Sequence, residues 1–445
     1  MGQNDMKNKI KTIASILVFC ILIVGCGKLL RYILTNDVGS YTRVTFHEMY
    51  EQDNIDILFV GSSHCYRSFI PEILDKELGL NTFNAGTSAQ TMDGSLMVIK
   101  EAARYNDISH IYLEVYYDGV FDYNLDSAQM TQTYAISDYI KPSLDKIVYL
   151  IEASGKEHYF NSFVVARRHW AKLLDLDYMK NIIVKKSADT YKNYGYADIT
   201  NDTEWYAGKG YVANNVVVND QDFFSTGGWE KINLDNVSDN WLDSLSGIIE
   251  FCNKKEIGLT LVATPMPNFS ITGVENYDEY IDLINGIIEG TNVDFYDFNL
   301  CKEIYFPNTS SLFKDLDHLN CDGAETFSYC FAKLINGEIS PQDMFYSSYS
   351  AKLENLEPAV FGVSYHDDTA DDGTVLRNCK IVSSDNEGME YEISIIPNEG
   401  ESYSVQEYSD EEYFVISPDD KGICVIKYRM HNNTETEYEV QLTLP

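Results

Sequence analysis

Two short polar stretches of this sequence carry the residue types that serine-dependent ester chemistry needs. The first, "GSSH" at 61–64, places two hydroxyls and an imidazole directly after an apolar run, and the second, "KDLDH" at 314–318, sets two carboxylates beside a histidine. A serine becomes a nucleophile when an imidazole accepts its proton and a carboxylate holds that imidazole in the right tautomer. Taken alone, the first stretch also fits an ordinary polar turn.

The spacing within the second stretch favours one of its two carboxylates. In a tight turn, Asp315 can fold back onto the second ring nitrogen of His318, whereas the adjacent Asp317 would have to bend much harder. We therefore predict His318 as a general base and Asp315 as the acid that orients it. The alternative is that His318 only makes a local hydrogen bond at the start of a helix.

A third stretch, "FNAGTS" at 83–88, contains a glycine at the end of another apolar run. Gly86 would let the backbone approach a ligand closely and present an N–H group to it, although an ordinary turn glycine is the alternative. The segment "GTSAQ" lacks the second glycine of a Gly-x-Ser-x-Gly elbow, so Ser88 is not predicted as a nucleophile.

Strands alternating with helices are predicted around these stretches, which indicates a doubly wound α/β domain with a five-stranded parallel sheet. In such a sheet the carboxyl ends of the strands line the ligand crevice, and all three polar stretches follow strands. The predicted strands are 55–61, 80–86, 110–117, 257–265 and 293–298. The predicted helices begin at Pro71 or cover 92–105, 241–252, 280–288 and 324–335.

Two segments depart from this alternation. Residues 119–236 are rich in Tyr, Asn and Asp and are predicted to be an insertion that covers or shapes a cleft. From 341 the pattern changes to short alternating stretches separated by turn residues, which indicates a small, acidic β-sandwich. The predicted domains are thus 1–35, 36–340 with the insertion, and 341–445.

The N-terminus predicts a membrane anchor. Three lysines precede an uncharged run at 12–27, and apolar residues continue to Leu34. A cleaved signal peptide is less well supported, because no small-x-small cleavage site follows the run. Lipoprotein attachment at Cys26, within "IVGC", remains an alternative.

Composition excludes several classes of function. A formal net charge of −36 argues against nucleic-acid binding, which needs clustered Lys and Arg. The nine cysteines are scattered without a CxxC pair, so neither a disulfide framework nor a zinc site is predicted. No metal or cofactor is expected.

Together, Gly61-Ser62-Ser63, Asn84-Ala85-Gly86 and Asp315-x-x-His318 resemble the blocks of the SGNH (GDSL-type) hydrolases, in the same order and at the same strand ends. The resemblance covers roughly 50–340, apart from the insertion. It implies that Ser63 is the nucleophile, that Asp315 and His318 complete the triad, and that the backbone of Ser63 and Gly86 forms an oxyanion hole. Asn84 and Arg67 are secondary candidates for substrate contact, although an arginine in a first helical turn commonly pairs with a nearby acid.

One block of the family is missing, because the third strand ends in "LEVYYDG" where the family has an asparagine donor. An ionised Glu114 cannot donate a hydrogen bond, so another donor, an unusual substrate or a slow enzyme is expected. The anchor and the altered block resemble envelope members of the family, such as the D-alanine-transfer protein of lipoteichoic acid synthesis and the alginate O-acetylation proteins.

This resemblance implies a membrane-anchored, extracytoplasmic esterase or O-acyltransferase that acts on acylated glycans or cell-wall polymers through an acyl-serine intermediate. A multi-spanning membrane acyltransferase is an expected partner. The alternative is a non-catalytic scaffold in which the β domain and the Tyr-rich insertion hold glycan or partner proteins.

Overall fold

The computed structural model describes residues 3–120, 127–226, 231–369, 373–384 and 388–445. Its strands are β1 (Ile57–Val60), β2 (Thr82–Asn84), β3 (His110–Glu114), β4 (Glu204–Gly208), β5 (Tyr211–Asn214), β6 (Phe224–Ser225), β7 (Gly258–Ala263), β8 (Asp294–Asp297), β9 (Val360–Thr369), β10 (Val375–Ser383), β11 (Met389–Pro397), β12 (Tyr403–Ser409), β13 (Tyr413–Ile416), β14 (Gly422–Met430) and β15 (Asn433–Thr443).

The helices connect these strands and extend the chain at its N-terminus. They are α1 (Gln3–Leu34), α2 (Tyr41–Glu51), α3 (Ser63–Ser68), α4 (Pro71–Leu78), α5 (Met92–Ala102), α6 (Ser127–Ser137), α7 (Leu144–Phe163), α8 (Val165–Arg168), α9 (Leu176–Lys186), α10 (Asp189–Lys192), α11 (Asp239–Lys255), α12 (Asn268–Thr272), α13 (Tyr277–Ile288), α14 (Cys321–Ile335), α15 (Pro341–Met344) and α16 (Tyr349–Asn355). Single 3₁₀ turns lie at Tyr117–Val120, Trp170–Lys172, Tyr196–Ile199, Asp220–Phe223, Leu234–Asn236, Phe298–Leu300 and Ser310–Leu312.

The five apolar runs predicted as strands form one parallel sheet in the order β2-β1-β3-β7-β8. Leu58 of β1 pairs with Phe83 on one side and with Ile111 on the other. All three side chains are fully buried, as expected for a parallel sheet covered on both faces. The predicted parallel α/β sheet is therefore confirmed, and each predicted helix is present.

The chain divides into two compact units. One contains Met1–Glu51 and Tyr123–Tyr206, and the other contains Gln52–Asp122 and Ala207–Pro445. The first part of the predicted insertion thus belongs with the N-terminal helices. Its later part belongs with the parallel sheet, where Lys209 at the tip of the β4–β5 hairpin accepts a hydrogen bond from the backbone N–H of Asn84.

The C-terminal residues form two four-stranded sheets, as the alternating pattern predicts. One has the order β13-β10-β9-β6 and the other β12-β11-β14-β15. Side chains of both sheets share one apolar core, including Val363 and Ile381 from the first and Tyr391 and Ile426 from the second. The C-terminal strands pair antiparallel, whereas β6, which comes from the insertion, pairs parallel with β9.

Within the described residues, one helix is long and apolar enough to cross a membrane. It covers Asn8–Leu34, has a mean hydropathy of 2.5 over its most apolar window, and is not buried against the protein there. Such a helix fits an anchor and a signal sequence equally well. All nine cysteines are unpaired; six are buried, and Cys20 and Cys26 are exposed on α1.

Candidate active site

The first polar stretch forms a tight connection between β1 and α3. Gly61 has a φ of +155°, in a region that side chains avoid, and Ser62 caps α3 by accepting a hydrogen bond from the backbone N–H of His64 at 3.2 Å. Ser63 is the first residue of the helix and is partly exposed. The sequence folds in this way because apolar residues end at a glycine and a serine N-cap follows.

The structure brings Ser63, His318 and Asp315 together although 255 positions separate the serine from the histidine. The Nε2 atom of His318 lies 2.8 Å from Ser63 Oγ. Its Nδ1 atom lies 3.0 Å from Asp315 Oδ1 and 3.2 Å from Oδ2. Both distances permit hydrogen bonds, so the serine, imidazole and carboxylate form the continuous relay that nucleophilic acyl transfer requires.

The carboxylate of Asp315 is held by several groups besides the imidazole. Its Oδ1 atom accepts the backbone N–H groups of Asp317 at 2.9 Å and of His318 at 2.8 Å, and Lys314 donates to Oδ2. Burial opposes ionisation of Asp315, but hydrogen bonds from His318 and Lys314 and the positive charge near it hold its pKa well below the ordinary value. Asp315 is therefore a permanent carboxylate at neutral pH.

Asp317 does not take this role. Its side chain shares a small cluster with Asp315 and His318, whose ligating atoms lie within 4.8 Å of one another. Four donors already occupy the Asp315 carboxylate, so the cluster is better explained as a hydrogen-bonded dyad than as a cation site. Burial raises the pKa of Asp317 above its ordinary value.

His64, directly after Ser63, lies buried between two rings. Its ring stacks on His318 with centroids 4.6 Å apart, and the Tyr116 ring packs on it at a tilt with centroids 4.3 Å apart. Burial, and then the neighbouring His318, hold the pKa of His64 well below its ordinary value. A neutral His64 therefore packs against the base without adding a second positive charge beside it.

Glu114 occupies the place where the family would supply a donor, and its role was not foreseen from the sequence. Its carboxyl is buried and accepts the backbone N–H of Ser62 at 2.6 Å. A Cβ atom on Gly61 would lie only 2.5 Å from the Cβ and Oε2 atoms of Glu114. Glu114 thus packs under the turn that presents Ser63 and fixes it through a hydrogen bond.

Burial raises the pKa of Glu114 from 4.5 to about 7, and hydrogen bonds from Ser62 only partly offset this. A cavity of about 10 Å³ beside Glu114, His64 and Tyr277 has room for one water molecule at most. With a pKa of about 7, Glu114 therefore changes its protonation state near neutral pH.

Glu114→Gln should make the stability of the protein less sensitive to pH. As pH rises from about 4.5 to about 7, the unfolded chain loses the Glu114 proton while the folded chain keeps it, so the free energy of unfolding falls. Above pH 7 the wild type should have lost about 3 kcal/mol relative to the variant. Urea unfolding of both proteins in detergent across this range measures the difference, and parallel curves would contradict the assignment.

The structure places Gly86 and Asn84 differently from the expectation. The Gly86 N–H donates to Asn84 Oδ1 at 3.1 Å instead of being offered to a substrate. The amide of Asn84 is fully buried and donates to the backbone oxygens of Cys65 at 2.9 Å and Phe69 at 3.1 Å. Asn84 therefore ties α3 to the end of β2, and its contact with a substrate stays a prediction.

Asn84→Ala should lower the free energy of unfolding by about 3 kcal/mol, because three buried hydrogen bonds are lost and the Phe69 carbonyl and the Gly86 N–H lose the side-chain partner they have here. Asn336→Ala removes an exposed amide that makes one bond, to the Glu77 backbone at 3.1 Å, and serves as the matched control. Equal denaturation midpoints for the two variants would show that Asn84 is not structural.

Arg67 also lies inside the protein. Its side chain is buried, and its guanidinium carbon is 5.2 Å from the centre of the Tyr66 ring. The contact shown is with an aromatic ring and not with the acid that the structural alternative named, and a contact of Arg67 with a substrate stays a prediction.

Comparisons with known proteins give low similarity. No family model matches the sequence, and no curated protein matches it. Similar solved structures include a proposed platelet activating factor from Streptococcus pneumonia (TM-score 0.31, 11% identity, 69% of this chain and 97% of that chain). Two others are a proposed acylhydrolase from Bacteroides fragilis (0.32, 10%, 68% and 99%) and a GDSL-like lipase from Bacteroides thetaiotaomicron (0.32, 9%, 68% and 100%). At such values, the role of each residue has to follow from the geometry of the site.

Proposed function

We propose that this protein is a membrane-anchored serine esterase or O-acyltransferase of the SGNH type, acting outside the cytoplasm on acylated cell-surface glycans. The observation that carries the catalytic part is the relay of hydrogen bonds from Ser63 through His318 to Asp315. A hydroxyl, a base and a carboxylate in this order are the elements of acyl transfer by serine.

The proposed reaction has two halves. Ser63 Oγ attacks the ester carbonyl while its proton moves to His318 Nε2, and Asp315 stabilises the imidazolium that forms. The tetrahedral intermediate collapses as the bond to the alcohol oxygen breaks and His318 returns the proton to that oxygen. This leaves an acyl-Ser63 ester. Water or a sugar hydroxyl, deprotonated by His318, then attacks the acyl group, and Ser63 regains its proton.

The proposed oxyanion site has few hydrogen-bond donors. The Ser63 N–H remains the proposed donor, while the Gly86 N–H is directed to Asn84 and Glu114 accepts a bond from Ser62. Losing one donor typically lowers the rate by about 10²–10³. This arrangement is consistent with a slow enzyme whose acyl-serine intermediate persists until a specific sugar hydroxyl attacks it.

The proposed substrate class, acylated cell-surface glycans, rests on other observations than the catalytic residues do. It is supported by the resemblance of the three polar blocks to envelope members of the family and by the apolar helix at Asn8–Leu34. A multi-spanning acyltransferase remains the proposed source of acyl groups.

The purified full chain in detergent should release acetate from an O-acetylated polysaccharide and from p-nitrophenyl acetate, and Ser63→Ala should release none above the uncatalysed rate. Transfer would appear as new acetate esters when a deacetylated polysaccharide is added as acceptor. If the folded wild type turns over neither ester and forms no acyl adduct, the scaffold alternative is supported and the enzyme proposal fails.

The proposed topology can be tested with an impermeant thiol reagent on intact cells. Val415, on an exposed face of β13, is a suitable site for a new cysteine, because the native Cys379 and Cys424 of the same domain are buried. Val415→Cys should be labelled in intact cells, whereas the parent protein should not gain label in this domain. Labelling only after lysis would place the domain inside.

A further inference from the structure

The helices at 144–184 expose an unusual number of large apolar side chains. On α7, Leu144, Ile147, Val148 and Ile151 are all exposed, with Leu144 at 81% of its full area. These positions follow the i, i+3, i+4, i+7 spacing, so they form one stripe along the helix. The opposite side of α7 is buried through Leu150, so this helix is apolar both inward and outward.

The exposed apolar side chains continue beyond α7. The further members are Phe160, Phe163, Trp170, Leu174, Leu176 and Val184. Leu174 is 92% exposed and Trp170 is 63% exposed. Soluble proteins rarely leave so many large apolar groups exposed along one stretch of helices, and exposed apolar regions commonly mark interaction surfaces. We call the exposed face of 144–184 the apolar helical surface.

The charge of this region is opposite to that of the chain. Residues 144–184 contain six Lys and Arg against five Asp and Glu, and with the flanking residues of 141–192 the count is ten against six, whereas the whole sequence has 33 against 69. A positively charged, apolar, helical segment in a strongly acidic protein is complementary to a surface that is both apolar and negatively charged.

The apolar helical surface also lies beside the end of the apolar N-terminal helix. The Tyr178 hydroxyl on α9 donates to the backbone oxygen of Leu34, the last residue of α1, at 3.0 Å. Lys186, at the end of α9, pairs with Asp37 at 2.7 Å, just beyond that helix. Where α1 would leave a membrane, α9 would therefore already lie at the level of the headgroups.

We propose that the apolar helical surface lies in the headgroup region of a bilayer that contains anionic phospholipids, forming a second membrane contact beside α1. Its Leu, Ile and Phe side chains would enter the boundary between headgroups and acyl chains, Trp170 would sit at that boundary, and its Lys and Arg side chains would meet phosphates. This inference rests on the proposed anchoring of α1 and adds that the unit around it lies on the bilayer.

Brominated phospholipids quench tryptophan fluorescence only at close range and can test this contact on the full chain. The protein would be reconstituted into vesicles of phosphatidylglycerol and phosphatidylcholine, with or without bromine on the acyl chains. Trp170 emission is the difference between the parent and Trp170→Phe. Roughly half of this emission should be lost in brominated vesicles, because an interfacial side chain lies roughly 5–10 Å into the headgroup–acyl boundary.

Variants separate the surface from the anchor. Leu174→Asp combined with Leu176→Asp should reduce the quenching of Trp170 at least roughly threefold without preventing flotation of the protein with vesicles. The pair Ile396→Asp and Val415→Asp, at exposed apolar positions of the β domain, is the matched control and should leave quenching unchanged. Lys180→Glu with Lys185→Glu should reduce quenching more when phosphatidylglycerol is present than when it is absent.

Flotation tests the proposed anchoring by α1, and quenching tests the proposed contact of the apolar helical surface with lipid. Failure of the wild type to float with vesicles would remove the anchoring proposal itself. Normal flotation with unquenched Trp170 would overturn the inference about the apolar helical surface.

Discussion

Replacing Ser63 by alanine should abolish covalent labelling by a fluorophosphonate and lower ester turnover by about 10⁴–10⁶-fold. The reason is the 2.8 Å contact between Ser63 Oγ and His318 Nε2, which gives this hydroxyl a base that can take its proton. An alanine removes the attacking atom while the backbone of α3 stays in place. Intact-protein mass spectrometry measures the adduct, and a chromogenic ester measures turnover.

Ser62 provides the control next to it. Its hydroxyl accepts the His64 N–H at the start of α3, so Ser62→Ala should cost about 1 kcal/mol of stability and leave labelling intact. If Ser63→Ala is still labelled while Ser62→Ala is not, the nucleophile has been assigned to the wrong hydroxyl. Labelling of both variants would place the reactive group elsewhere in the chain.

The parallel sheet could be predicted because its strands are recognisable as apolar runs in the sequence. Runs such as Ile57–Val60 and Gly258–Ala263 are buried on both faces and are therefore almost continuously apolar. The helices were marked by equally local signals, such as Pro71 in the first turn of α4 and Gly79 in the left-handed conformation at its end.

The division of the insertion could not be read in the same way. Strand β6 has only two residues, Phe224 and Ser225, and its place in the C-terminal sandwich is decided by pairing with β9 more than a hundred positions later. Two residues show no alternation. The outer end of β9 also lacks alternation, because Asp367 and Asp368 are both charged and exposed.

In the site, sequence spacing was informative where the contact is local. The Asp315–His318 pair lies within one turn, so the bond could be inferred from four residues. Gly86 shows a signal that was not used: an asparagine two residues before an N–H commonly accepts its hydrogen bond, as Asn84 does here. The bond from Ser62 to Glu114 joins two strands 52 positions apart, and only the folded sheet reveals it.

His318→Ala should lower ester turnover about as much as Ser63→Ala, and Asp315→Asn should lower it by about 10⁴. Without the imidazole, Ser63 keeps its proton. With an amide at 315, the NH2 group can donate to Nδ1 and favour the tautomer that places the proton on Nε2, and the negative charge that stabilises the imidazolium is lost. Asp315 is held as an anion by His318, Lys314 and two backbone N–H groups, so its charge is available across the neutral range.

Asp317→Asn is the matched control for this prediction, because Asp317 is a neighbouring carboxylate. Among the described contacts, Asp315 and not Asp317 bonds to the Nδ1 atom of His318. We expect Asp317→Asn to change turnover by less than about tenfold, through the local charge alone. The comparison uses kcat and kcat/KM at saturating and limiting ester, with thermal unfolding to check that each variant is folded. If Asp317→Asn were far more damaging than Asp315→Asn, the imidazole would be oriented by the other carboxylate during turnover, and the geometry described for the resting site would not be the catalytic one.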